Sequence, residues 1–194
     1  MKLSIIIPTC NRVESLARLL KALVPDVDGY EGGTSTEIII VDDASDEAYR
    51  VQLNRLRNEY PDTNLHIQHR PHRGGPSAAR NSGIAAAQGD VLAFIDDDCV
   101  PQPGYVAETL RLHCAYPDVL LINGNLKALR NDVYSQFWFH YYNAAFNRDA
   151  GDLYRIEKVS SGHFSIKREL LKLLHPLFDE GLTSREDYDL YLRG

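Results

Sequence analysis

The sequence predicts an α/β fold: a single domain with a mostly parallel central sheet flanked by helices. Three observations carry this. Apolar runs alternate with helical periodicities through the first half of the 194-residue chain. The runs Leu3–Ile7, Ile38–Val41 and Val91–Ile95 lack polar alternation, as strands buried on both faces do. Each run ends in polar residues: Thr9-Cys10-Asn11, Asp42-Asp43 and Asp96-Asp97-Asp98. Strand–helix alternation implies parallel strands joined by right-handed crossovers. The polar ends then converge on one edge of the sheet, where open α/β sheets bind ligands.

Leu3 to Ile7, closed by Pro8, is the first strand. Leu16, Leu19, Leu20 and Leu23 recur at helical spacing behind it, and Pro25 is expected to stop that helix. Residues 28–35 form a Gly-rich loop. After the second strand, Ser45 is placed as the cap of a helix running to about Tyr60, with Asp46 and Glu47 in its first turn. Leu65 to Gln68 is a short third strand. Gly74-Gly75-Pro76 turns into an Ala-rich helix that ends near Gly89, with Pro76 at a first helical position. The strand Val91–Ile95 follows, then a helix from about Tyr105 to Tyr116 and a strand from Val119 to Ile122.

Beyond Asn123-Gly124-Asn125 lies an aromatic stretch, Tyr134 to Phe146, which reads first as core and second as rings for stacking on a ligand or for a membrane surface. A strand is placed at Lys158–Ile166, with His163 as a satisfied core histidine. A helix from Arg168 ends before Pro176. The last helix opens at Ser184-Arg185-Glu186-Asp187, whose pattern fits a capping box with Ser184 as N-cap.

Composition removes several functions. A net charge of −6 disfavours nucleic acid as a partner, and the only basic cluster, His66 to Arg73, is short. Three cysteines without paired spacing fit a reducing, cytoplasmic setting rather than a disulfide framework. There is no signal-peptide pattern and no run long enough to span a membrane. The loop after strand one lacks the dinucleotide glycine fingerprint, and no P-loop occurs. His66, His69 and His72 lie in an extended segment and are not expected to converge on a metal.

The remaining chemistry is in the acids. Asp96, Asp97 and Asp98 repel one another and call for a cation. A hard divalent ion with oxygen ligands suits them. The plainer alternative is an acidic turn with one Asp capping the helix from Gly104 onward. Mg²⁺ or Mn²⁺ is commonly held by one or two carboxylates with substrate phosphates. Such an ion would neutralise a diphosphate leaving group, and transfer would then need a base for the acceptor hydroxyl.

Five motifs occur in order: Ser4-Ile-Ile-Ile-Pro-Thr-Cys-Asn-Arg12, Ile40-Val-Asp-Asp-Ala-Ser45, Gly74-Gly-Pro-Ser-Ala-Ala-Arg-Asn-Ser-Gly83, Phe94-Ile-Asp-Asp-Asp98 and Glu186-Asp187-Tyr188-Asp189-Leu190. Together they resemble family 2 glycosyltransferases of the GT-A (Rossmann-like) fold, across nearly the whole chain. The resemblance implies one catalytic domain over residues 1–194. Its nucleotide-sugar-binding half is about 1–100 and its acceptor half about 101–194, short of the C-terminal elements that family members commonly carry.

It implies inverting transfer from a nucleotide-sugar, UDP-sugar first, with Mn²⁺ or Mg²⁺. The acceptor would be a saccharide, lipid-linked or other hydroxyl. Peripheral association with the inner membrane face and a homo-oligomer are compatible with it. By position, Pro8, Thr9 and Arg12 belong near the nucleoside. Asp42, with Asp43 beside it, matches the acid that contacts the base. Arg80 and Asn81 match the segment beside the nucleotide, although a cation shortly after a helix N-terminus fits a structural salt bridge equally well. Asp96 and Asp98 match the outer acids of the DxD motif, with Asp97 between them: Asp98 as metal ligand, Asp96 near ribose or metal. Glu186 and Asp187 match the Glu-Asp motif, with Asp187 as general base. The alternative class is a nucleotide-sugar-binding module, inactive alone or dependent on a partner chain.

Overall fold

The computed structural model describes residues 1–31, 36–124, 162–182 and 185–193. Asn125, the aromatic stretch Tyr134–Phe146, Ser160-Ser161 and Ser184 lie outside the described residues. The strands are β1 (Leu3–Thr9), β2 (Thr36–Asp42), β3 (Leu65–His69), β4 (Val91–Ile95), β5 (Leu121–Asn123) and β6 (His163–Lys167). The helices are α1 (Val13–Asp28), α2 (Glu47–Asn58), α3 (Gly75–Ala86), α4 (Tyr105–Ala115) and α5 (Glu186–Arg193), with a 3₁₀ turn at Arg168–Lys172.

One sheet has the order β3-β2-β1-β4-β6-β5. The pairs among β1 to β4 are parallel, as strand–helix alternation predicts. β6 runs antiparallel to both β4 and β5. The chain order reverses between β1 and β4, which makes their carboxyl ends the topological switch point.

The sheet separates two apolar layers. Leu3, Ile5 and Ile7 face α1, α2 and α4 through Leu16, Leu20, Leu53 and Val106. Ile6, Phe94, Phe164 and Phe178 face α3, the 3₁₀ turn and α5. Five-residue β4 is buried throughout, so its side chains alternate between both layers. α3 lies close on the sheet: a Cβ at Gly83 would run into Ile6 Cγ2. No helix among the described residues is long and apolar enough to cross a membrane.

Several local expectations change. Pro25 does not stop α1, which continues to Asp28. The proline removes one backbone donor, but a tertiary contact holds the final turn. Asp26 accepts hydrogen bonds from the backbone N–H of Gly104 (2.7 Å) and Val106 (2.8 Å). This also settles which carboxylate caps α4: it comes from α1, and the acids after β4 are left for other work. Ser45 does not cap α2. Its hydroxyl accepts the Asn11 N–H, and Asp46 stands at the cap position. β5 lies one to two residues later than predicted, β6 ends one residue later at Lys167, and the segment from Arg168 is a 3₁₀ turn, not a longer helix. α5 begins at Glu186, so Asp187 is its second residue rather than its third.

Candidate active site

A cleft of about 340 Å³ opens at the carboxyl ends of β1, β2 and β4. Pro8, Thr9, Cys10 and Arg12 line it from the end of β1, and Asp43 from the end of β2. Asp96 and Asp97 come from β4, Arg80 from α3 and Glu186 from α5. Parallel strands bring these ends together, and the close seat of α3 brings Arg80 over them.

Thr9 and Asp97 join the two strands at the switch point. The Thr9 hydroxyl donates to Asp97 Oδ2 at 2.7 Å. Arg12 then bridges two acids: its Nη1 lies 3.0 Å from Asp97 Oδ1 and its Nη2 2.7 Å from Asp98 Oδ2. Asp97 is 3% exposed, whereas Arg12 and Asp98 are about half exposed. Burial pushes the Asp97 carboxyl up to about 6, and the neighbouring Asp98 and Asp96 add to this against Thr9 and Arg12. Asp96 is also pushed up by burial, opposed by Arg80. Cys99 is pushed up to about 12 by burial and the three acids before it, so it stays a thiol.

Arg80 forms the second bridge. Nη2 donates to Asp96 Oδ1 at 2.6 Å and Nη1 to Glu186 Oε1 at 2.8 Å. Its carbon Cζ sits 5.4 Å from the centre of the Phe178 ring.

The acids after β2 behave differently. Asp42 is fully buried and does not line the cleft. Oδ1 accepts the Ser45 N–H at 3.0 Å, and Oδ2 meets His69 Nδ1 at 2.8 Å and Arg50 Nε at 3.4 Å. Burial alone would raise this carboxyl, but the bonds from Ser45 and His69 outweigh it and hold it below the usual range. Asp42, the acid expected at the base, thus stands behind the lining with protein donors around it, and Asp43 is the acid from this strand end that lines the cleft. Asp43 accepts from Arg70 and from the backbone N–H of Gly75 (2.7 Å) and Gly74 (3.0 Å), fixing the turn into α3. Gly75 has φ +80°, a conformation L side chains rarely adopt.

Asn81 is also turned away from the cleft. Its amide donates to Phe178 O at 2.9 Å and Glu180 Oε1 at 2.9 Å, a grip on the segment 178–180. Asp98 and Asp187 stand outside the lining. Asp98 is joined to it through Arg12, and Asp187 follows Glu186 on α5, accepting the Tyr188 N–H at 2.8 Å.

Arg73, Pro76 and Ala79 line the cleft and were not singled out by the sequence. For Arg73 a signal existed: a basic residue directly before a glycine turn that opens a helix. His163 packs beside Tyr105, ring centroids 5.1 Å apart, and burial holds it down at about 4, consistent with a neutral core histidine.

Among the described residues no three His, Cys, Asp or Glu side chains converge as a preformed metal site. The oxygen-only donor set, with half-exposed Asp98 beside Asp97 and Asp96, fits a hard divalent ion that brings further ligands with it.

The family model for glycosyl transferase family 2 matches residues 4–174. Pre-mycofactocin glycosyltransferase of Mycobacterium tuberculosis is 32% identical over 126 residues, covering 65% of this chain and 24% of that protein. The uncharacterized glycosyltransferase YwdF of Bacillus subtilis is 26% identical over 193 residues, covering 100% of this chain and 68% of that protein. Among solved structures, TarS residues 1–349 of S. aureus superposes with a TM-score of 0.75 at 22% identity, over 100% of this chain and 55% of that one. The mannosyltransferase PcManGT of Pyrobaculum calidifontis, in complex with GDP-Man and Mn2+, gives 0.72 at 20% identity, over 96% and 50%. This chain thus spans about a quarter of the Mycobacterium relative and about half of these solved chains. The fold is that of GT-A glycosyltransferases, and the chain belongs to glycosyl transferase family 2.

Proposed function

We propose that this chain binds a nucleoside-diphosphate sugar, UDP-sugar first, and transfers the sugar with inversion to an acceptor hydroxyl. One observation carries the reading. At the switch point of the sheet, two arginines from different elements each bridge two carboxylates around a cleft of about 340 Å³. Such a site offers cations to a diphosphate and acids to a metal ion. TarS structures with UDP-GlcNAc and with UDP, and PcManGT with GDP-Man and Mn2+, support the donor class.

Pro8, Thr9 and Asp43 would flank the nucleoside, and Asp43, in place of Asp42, would meet the base. Arg12 and Arg73 would face the diphosphate. Asp98, with Asp96, would hold Mn²⁺ or Mg²⁺ together with the donor phosphates. When bound, the ion supplies charge neutralisation to the leaving diphosphate. The general base is Asp187. Glu186 is buried and its carboxylate is committed to Arg80, so it is not the carboxylate presented to an acceptor. Asp187 is half-buried on the first turn of α5, directly after Glu186. It would take the acceptor proton while that oxygen attacks the anomeric carbon opposite the diphosphate.

The acceptor is proposed as a saccharide, lipid-linked or other hydroxyl; the names of relatives include poly(ribitol-phosphate) glycosyltransferases. The free cysteines Cys10, Cys99 and Cys114 suit a reducing compartment.

A thermal-shift panel of nucleotides with Mn²⁺ or with chelator tests the reading, because a ligand of the native state raises stability. UDP or dTDP should stabilise more than ADP, and more with Mn²⁺ than without. An equal shift with chelator removes the metal from the site, and a larger ADP shift removes the base assignment. Donor binding with no transfer to any acceptor would favour the binding-module alternative.

A further inference from the structure

Among the described residues, Arg80 is the largest fully buried side chain, and it is charged. Desolvating a guanidinium costs several kcal/mol unless its partners are well placed. Here they are. Asp96 comes from the end of β4 and Glu186 from α5, 90 residues later in the chain, and one planar fork reaches both. The Phe178 ring lies below it, within cation–π range.

Its neighbour Asn81 adds a second tie. The side-chain amide binds the backbone of Phe178 from both directions, accepting its N–H at 3.3 Å and donating to its carbonyl at 2.9 Å. From α5, Arg193 donates to Leu177 O at 2.7 Å and Pro176 O at 3.1 Å. The segment 176–180 is thus held by α3 on one side and by α5 on the other. Consecutive residues of α3 therefore set where α5 stands relative to β4.

We infer that Arg80 is a positioning residue that couples donor binding at Asp96 to the placement of α5, the helix that carries Glu186 and Asp187. This rests on the donor site and base proposed above. The argument is geometric. A cation that engages Asp96 competes with Arg80 for that carboxylate. A buried guanidinium held at both ends is one rigid plane, so a change at Nη2 is felt at Nη1 and hence at Glu186. Lysine cannot replace it, because an ammonium is a point charge without the fork.

The test is hydrogen exchange on the full chain, with and without saturating UDP and Mn²⁺, followed by kinetics. In the unaltered protein the ligand should slow amide exchange in α5, residues 186–193, by about threefold or more. Arg80→Lys should bind UDP–Mn²⁺ within about threefold of the unaltered protein, abolish the α5 response, and lower kcat about 30-fold or more. Glu186→Gln, which is nearly isosteric and leaves Arg80 in place, should do the same. The double variant should be no worse than either single, as expected for residues acting through one contact. Loss of UDP affinity in step with kcat would make Arg80 a donor ligand and overturn the inference. A change in Tm alone, with affinity, exchange response and kcat intact, would make it structural and overturn it too. UDP binding with an unresponsive α5 in the unaltered protein overturns only the coupling. Absence of UDP binding overturns the functional reading and the coupling with it.

Discussion

The acids after β2 and those after β4 are written alike in the sequence, yet the structure treats them in opposite ways. Each group follows a buried parallel strand, and each contains a carboxylate almost without exposed surface: Asp42 at 0% and Asp97 at 3%. Asp42 gains more from Ser45 and His69 than burial takes away, and its carboxyl is held below the usual range. Asp97 has Thr9 and a half-exposed Arg12 that it shares with Asp98, and its carboxyl rises to about 6. The first acid is finished as part of the fold. The second is ionised at a cost that an incoming cation would relieve. A site for charged ligands is recognised by that residual strain, not by the number of acids in a row.

Substitutions can break this contrast. The largest expected effect is at the finished acid. Asp42→Ala strands the Ser45 N–H and removes the partner of His69 and Arg50, costing about 3–4 kcal/mol. That corresponds to a Tm lower by about 10 °C in calorimetry for a chain of this size. The folded protein should still bind UDP as before; a protein that keeps its Tm would erase the contrast.

Asp187→Asn comes next. Turnover should fall about 10²-fold, equivalent to about 2.7 kcal/mol of barrier, with UDP–Mn²⁺ affinity near normal. If the variant loses about 1 kcal/mol of stability and no turnover, Asp187 is a helix-end residue and the base lies elsewhere.

Asp98→Ala should remove the extra stabilisation that Mn²⁺ gives to UDP binding, about 1–2 kcal/mol by thermal shift, and leave the ligand-free Tm almost unchanged because Asp98 is half exposed. A metal-dependent shift that survives the substitution would move the ion to other ligands.

The smallest effect is the most diagnostic. Asp97 has a folded-state pKa above its ordinary value of 3.8, so the native state holds the proton more tightly between 3.8 and about 6. Its contribution to stability therefore falls as pH rises through that window, and the penalty is complete above about 6. Asp42 has the opposite sign: its contribution is present above the ordinary value and is lost only as pH falls through its depressed folded pKa. Asp97→Asn should then raise stability at pH 7.5 by about 1 kcal/mol and flatten the profile between pH 4 and 6. A destabilised Asn variant at pH 7.5 would mean that Asp97 is as settled as Asp42.

Much of the frame was legible because it is local. β-branched apolar runs bounded by polar residues mark β1, β2 and β4, and their alternation with helices dictates parallel pairing. The features that escaped depend on distant partners. Nothing near Pro25 announces that Asp26 will cap α4 from across the layer. The reversed direction of β6 follows from its pairing with β4, about 70 residues away, which no periodicity records. Within the site, the acids were visible as a pattern, but whether protein or ligand satisfies them was not. His69 and Arg50 close Asp42, and no rule of spacing links a strand-end histidine to a carboxylate 27 residues earlier. Arg80 stood out for its awkward place near a helix start, and the reason proved to be two carboxylates rather than one.

The order in which the sheet fills has a consequence for synthesis. β6 occupies the place between β4 and β5, but it is translated after both. Until residues 163–167 leave the ribosome, one edge of β4 carries unpaired backbone groups, and Phe94 lacks Phe164 and Phe178 against its ring. An open, apolar strand edge is a template for pairing between chains. A chain stopped after α4 would hold every residue proposed for the nucleoside and would still be an aggregation-prone intermediate, so the donor half cannot be matured, released or borrowed as a unit ahead of the part that carries Asp187.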